Sequence, residues 1–148
     1  MSSGTNGLTI AMTGASGFVG RYVAAALVER GHIVRALSRD RNAPRVLPDE
    51  GVEVILGDVF DDGALSRTAD GADCFINLIG IHREQPGECT YERMHVRATQ
   101  RCIDVAAKAG IDRFVQMSAL GVRPEARSDY HKSQDQRCAT LDSHHALL

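Results

Sequence analysis

Three glycines recur at intervals of three in Gly14-Ala15-Ser16-Gly17-Phe18-Val19-Gly20, directly after a short apolar run and before a stretch with helical spacing. Missing side chains bare the peptide N–H groups, and a helix starting there adds the positive end of its dipole, so the segment is chemically a receptor for phosphate. Between a strand and a helix, Gly14 permits the tight turn, Gly17 lets the backbone approach a pyrophosphate, and Gly20 allows the helix to pack closely on the strand. The expected ligand is a dinucleotide, with Ser16, Phe18 and Val19 in the same cradle.

A second group could choose between dinucleotides. Selection belongs at the end of the second strand, where a carboxylate would hold a ribose diol and an arginine would suit a 2′-phosphate. That end reads Leu37-Ser38-Arg39-Asp40-Arg41. Arg39 can pair bidentately with phosphate and Ser38 is too short to repel it, which favours NADP(H) over NAD(H). Asp40 either turns inward as a diol ligand or caps a following helix, and Arg41 reads as solvated surface charge.

These residues need a scaffold that the chain supplies by alternation. Leu8 to Thr13, His32 to Ser38, Val52 to Leu56, Asp73 to Ile79 and Ile111 to Ser118 are short apolar runs that predict strands. Phe18 to Arg30 and Thr90 to Ala109 carry apolar residues at helical spacing, the latter predicting the longest helix. Asp62 to Asp70 predicts a small helix capped by Asp61 or Asp62. Short buried strands alternating with helices imply an α/β fold, a doubly wound parallel sheet of the Rossmann type with about five strands. After Ser133 no clean amphipathic period and no sixth strand follow, so the sheet reads as truncated after the fifth strand. The expected organisation is a dinucleotide-binding domain over residues 1–133 and an atypical C-terminal tail over 134–148.

With 148 residues, 43% hydrophobic and 24% charged, the chain has the size and composition of one globular domain. No apolar run approaches the ~20 residues of a membrane span. Lys+Arg 17 against Asp+Glu 19 gives a net charge of -2, too little to make nucleic acid the expected partner. Met1 to Gly7 lacks the pattern of a secretory signal, and Cys74, Cys89, Cys102 and Cys138 are too widely spaced for a zinc knuckle, so a cytoplasmic protein with reduced thiols is expected. The pair His144-His145 has no carboxylate or cysteine support, and no metal is assigned.

TGASGFVG, the Gly57-Asp58-Val59 segment, the strand ending Asn77-Leu78-Ile79-Gly80, and MSALG followed by a tyrosine together resemble the extended and atypical short-chain dehydrogenase/reductases over roughly residues 8 to 133. INLIGI, the Y-E-R-M-H-V segment and the S-A-L-G loop look most like the nucleotide-binding accessory subunit of respiratory complex I and its bacterial relatives. NAD-dependent epimerase/dehydratase-like proteins and NmrA-like sensors come next. The resemblance implies that Asp58 hydrogen-bonds the adenine amino group, that Val59 lies against the ring, and that Leu78, Ile79 and Gly80 flank the adenosine ribose. Asp58 could also be only a turn former.

The same resemblance implies a catalytic pair: Ser118 to orient a substrate oxygen and Tyr130 to transfer its proton, with a lysine four residues further on. A phenol with a reference pKa of about 10 needs a fixed ammonium to work near neutrality. Gln134 stands at that position, and a neutral amide supplies no charge. Lys132 and Lys108 are the only lysines; the first lies about 200° around a helix from Tyr130 and the second precedes the fifth strand. Three accounts stay open: Tyr130 is a vestige in a protein that binds nucleotide without hydride chemistry, the departure belongs with the altered tail, or an irregular turn brings Lys132 inward. The expected function is accordingly dinucleotide binding for structure or sensing. An active reductase or epimerase acting on a sugar nucleotide, sterol or quinone-like carbonyl is the alternative, and a non-functional fragment the third. His95 stands where many relatives carry asparagine and reads as a buried structural histidine. Arg93, Arg97 and Arg101 form a basic stripe that is either a solvated helix face or a surface for an acidic partner. The open edge of the last strand would invite self-association.

Overall fold

The apolar runs become five parallel strands: β1 (Thr9–Thr13), β2 (Ile33–Ser38), β3 (Val52–Leu56), β4 (Cys74–Asn77) and β5 (Phe114–Gln116). They lie in the order β3-β2-β1-β4-β5 in a computed structural model that describes residues 7–145, the side chains of His144 and His145 excepted. The expectations for residues 1–6 and for those two imidazoles therefore fall outside the described residues. The chain builds outward from β1 through β2 and β3, then crosses back to place β4 on the other side of β1. That reversal opens a crevice beyond the carboxyl ends of β1 and β4, where ligands of open α/β sheets bind.

Alternation along the strands sends side chains to two cores. Ile10 and Met12 of β1 join Cys74 and Ile76 of β4 beneath helix α1 (Phe18–Glu29). Ala11 and Phe75 point the other way, toward helix α2 (Asp62–Ala69) and helix α3 (Ala98–Lys108). Both faces are thus covered, which is why these strands lack a polar face. Phe75 stacks on Phe114 across β4 and β5, with ring centroids 5.3 Å apart.

Two helices differ from expectation. The predicted segment Thr90 to Ala109 is divided: Glu92–Arg97 is wound as a π-helix and only then does α3 begin. The longest helix is instead α4, Asp129–His145, which runs unbroken past Ser133. Its buried residues include Ser133, Gln134 and Arg137, all polar, so apolar periodicity could not report its inward face. No helix among the described residues is long and apolar enough to cross a membrane.

Candidate functional site

The turn after β1 can be built only from glycine at two of its three points. Gly14 has φ +75°, and a Cβ there would lie 2.8 Å from the Leu78 carbonyl carbon. A Cβ on Gly20 would meet the Gly14 carbonyl oxygen at 2.0 Å, so α1 presses directly on the turn. Gly17 is the N-cap of α1; no side chain caps this end and no acidic residue occupies its first turn. The first-turn amides are therefore available to an external anion. Ser16 Oγ lies 3.3 Å from Ser38 Oγ, tying this turn to the end of β2.

Two clefts open at this point and share Gly14, Gly17 and the Leu78–Ile81 backbone. The first, of about 240 Å³, is walled by Ser16, Ser38, Arg39, Asp58 and Val59. Arg39 is largely exposed, and its Nε lies 3.6 Å from Asp58 Oδ2. Asp58 Oδ1 also accepts the Phe60 N–H at 2.8 Å, so the turn-forming reading of this residue describes one of its contacts. Asp40 Oδ1 accepts the Asn42 N–H at 2.8 Å, closing a local turn just before the short 3-10 turn Ala43–Arg45, whose N-cap is Asn42 and carries no side-chain cap. The basic stripe is a solvated helix face only in part: Arg97 is exposed, while Arg93 and Arg101 are partly buried. Arg93 stacks over Phe60 at 3.9 Å, with Arg97 and Arg101 also around that ring. Arg101 donates to the Val59 carbonyl at 3.0 Å and pairs with Asp62, bracing the turn that carries Val59.

The second cleft, of about 200 Å³, brings Phe18, Val19 and Gly20 together with Ser118, Tyr130 and Gln134. Ser118 and Tyr130, twelve residues apart, thus face one space. Gln134 is buried, and its Oε1 accepts from Arg137 Nη1 at 3.1 Å. Lys132 is exposed and ion-paired with Asp129 at 3.4 Å, so no irregular turn carries it inward. Lys108 is exposed at the far end of α3. Tyr130 is enclosed by aromatic rings, with His95 and Tyr91 edge-on at 5.6 and 5.8 Å.

Buried polar side chains hold the loop between the clefts. Asn77 Oδ1 accepts from Thr13 Oγ1 at 2.6 Å and from the Ile79 N–H at 3.2 Å. His95 Nε2 accepts the Ile81 N–H at 3.0 Å, and its Nδ1 contacts Ser133 Oγ at 2.8 Å. Burial, with the Arg137 charge as a second cause, pushes the His95 imidazole down to about 4, so it is neutral here. Arg137 Nη2 donates to the Ile79 carbonyl at 2.6 Å and Nε to Thr99 Oγ1 at 3.2 Å. Burial lowers the Arg137 guanidinium to about 10. Sequence reasoning missed Arg137 because it sought only a lysine four residues beyond Tyr130. The available signal was spacing: seven residues return within about 20° of the same helix face.

Residues 14–146 match a family described as NAD(P)H-binding. A ceramide reductase of Caulobacter vibrioides is 34% identical over 135 residues, covering 84% of this chain and 39% of that protein. The mitochondrial NADH-ubiquinone oxidoreductase 40 kDa subunit of Neurospora crassa is 28% identical over 133 residues, covering 86% of this chain and 35% of its own. Among solved structures, a short-chain dehydrogenase/reductase superfamily protein from Agrobacterium tumefaciens with bound NAD superposes with a TM-score of 0.73. It is 28% identical, and the match covers 92% of this chain and 44% of that one. This chain thus spans roughly two fifths of the length of such relatives. Fold and site define an NAD(P)-binding Rossmann domain of the short-chain dehydrogenase/reductase and epimerase/dehydratase class. The chain belongs to the NAD(P)H-binding family whose pattern it carries from Gly14 onward.

Proposed function

We propose that the chain binds NADP(H) in preference to NAD(H) across both clefts, for structure or sensing, with hydride chemistry weak or absent. In this reading Gly14, Ser16, Gly17, Phe18, Val19 and Gly20 receive the diphosphate. Asp58, Val59, Leu78, Ile79 and Gly80 surround the adenosine, and Arg39 takes the 2′-phosphate. The observation that carries the weak chemistry is Gln134: a neutral, buried amide stands one helical turn from Tyr130 where a cation is needed. The preference for NADP(H) is supported by Arg39 at the rim of the first cleft and by Asp40 being engaged with Asn42. A cytosolic setting accords with four free cysteines.

The alternative is an active reductase or epimerase, favoured by Ser118 and Tyr130 lining one cleft. Ser118 would hydrogen-bond a substrate carbonyl oxygen and Tyr130 would protonate it, while a bound nicotinamide supplies the hydride. The ceramide reductase relative suggests a carbonyl on a lipid-like molecule as the substrate class.

Melting curves with NAD(H) and NADP(H) separately test the binding reading, because a ligand of the native state stabilises it by mass action. At a concentration of 100 Kd the gain is about 2.7 kcal/mol, worth roughly 5–10 °C in a domain of this size. The larger shift is expected with NADP(H), and Arg39→Asp should reverse the order; an unchanged order removes Arg39 from the site. Gln134→Lys should raise cofactor oxidation on a carbonyl substrate if the alternative holds, and no gain counts against it.

A further inference from the structure

Arg137 is 1% exposed, yet no carboxylate pairs with it among the described residues. Three of its five N–H groups are used, on Thr99 Oγ1, Gln134 Oε1 and the Ile79 carbonyl, all neutral acceptors. The ionisable groups whose charge it feels favourably are Cys138, Cys102 and Tyr130, none of them ordinarily anionic near neutrality. A buried cation so placed lacks a counter-charge, an arrangement that is costly unless an anion arrives.

Its position says where that anion arrives. Arg137 lines the second cleft together with Gly17, Phe18, Val19 and Gly20, the uncapped start of α1. No acidic residue lines this cleft. The guanidinium lies beside the loop that both clefts share: a Cβ added at Gly80 would be in ordinary contact with Arg137 Nη1 at 3.9 Å. Helix dipole and guanidinium therefore act on one space from two elements, α1 and α4, that both line it.

We propose that Arg137 is part of the dinucleotide site, and that the ligand's diphosphate is its missing counter-ion. The inference rests on the dinucleotide reading and adds to it a residue seven positions beyond Tyr130 on α4. It makes the seating of α4 and the occupation of the cleft one linked event: the charge is compensated only when both are in place.

Calorimetry with ADP, NAD and adenosine on the full chain tests it, comparing wild type with Arg137→Met and Arg137→Lys. Arg137→Met should weaken ADP and NAD by at least about tenfold and leave adenosine within about twofold, since adenosine carries no diphosphate. Arg137→Lys, which keeps the charge, should recover most of the loss. Equal weakening of adenosine and ADP would mark a purely structural role and overturn the proposal, as would ADP affinity unaltered in Arg137→Met. Should that variant fail to fold, Arg137→Gln, which keeps a donor for the Ile79 carbonyl, carries the same comparison with the same two overturning results. Failure of wild type to bind NADP, NAD or ADP at all overturns the dinucleotide reading itself, a result distinct from wild-type binding that Arg137→Met leaves intact.

Discussion

At the scale of single residues, His95 shows how burial converts a titratable group into a fixed acceptor. Its Nε2 receives the Ile81 N–H, so the proton of the neutral ring resides on Nδ1, which faces Ser133 Oγ. Protonating Nε2 would set two donors against each other at a fully buried ring. The folded imidazole sits at about 4 against an ordinary 6.5, a depressed value. Above pH 6.5 neither folded nor unfolded chain is charged at this site and the full stability is present. As pH falls from 6.5 toward 4 the unfolded chain takes up a proton that the fold refuses, and stability is lost, levelling off below 4. The loss amounts to about 3 kcal/mol. Chemical denaturation at pH 7 and 4.5 should register most of it, and His95→Gln, which retains an acceptor for Ile81, should flatten that part of the profile. An equally steep profile in the variant would assign the acid sensitivity elsewhere.

At the scale of elements, what was legible in the sequence was what burial writes in apolar letters. β3 and the start of α1 fall where periodicity puts them, and β1 and β2 lose one residue each, because both faces of the sheet are covered; β4 is shorter than expected, and β5 keeps only Phe114–Gln116 of the expected Ile111 to Ser118. The glycine turn was legible because its spacing encodes steric limits that no other residue meets. The inward face of α4 was not, since it is written in Ser133, Gln134 and Arg137, and polar residues report burial only when their partners are known. The same blindness hid the π-helix, whose extra width leaves the spacing of Met94 and Ala98 intact while His95 turns into the core. Caps are more readable because they act locally. Asp61 Oδ1 accepts the Ala64 N–H at 3.0 Å at the start of α2, one of the two alternatives expected. Asp61→Ala should cost about 1 kcal/mol, read as a lower urea midpoint with unchanged slope; no change would mean that Asp62 takes over the cap. Since α2 begins shortly after the Asp58–Val59 segment, a looser α2 should also loosen that wall of the first cleft, where adenosine is proposed to lie.

At the scale of the whole molecule, the sheet has two edges that differ in kind. The β3 edge carries Glu53, which pairs with Arg35 of β2 at 3.0 Å, and a charge on an edge strand discourages pairing with another chain. The β5 edge is only Phe-Val-Gln, bonded to β4 on one side, with Val115 about half exposed and no charge within the strand. Among the described residues nothing extends the sheet beyond it. A free apolar edge is a template for a further strand, and in a solution of this chain alone the available strand is that of a second copy. Association should therefore grow with concentration, visible as a rising weight-average mass in sedimentation equilibrium. Val115→Lys places a charge on that edge while leaving the buried side of β5 alone, and should return the mass to that of a monomer. Dinucleotide should act differently: in the proposed reading it would bind at the carboxyl ends of the strands and stabilise each copy without covering the edge. Association abolished by ligand but untouched by Val115→Lys would move the contact away from β5 to the clefts.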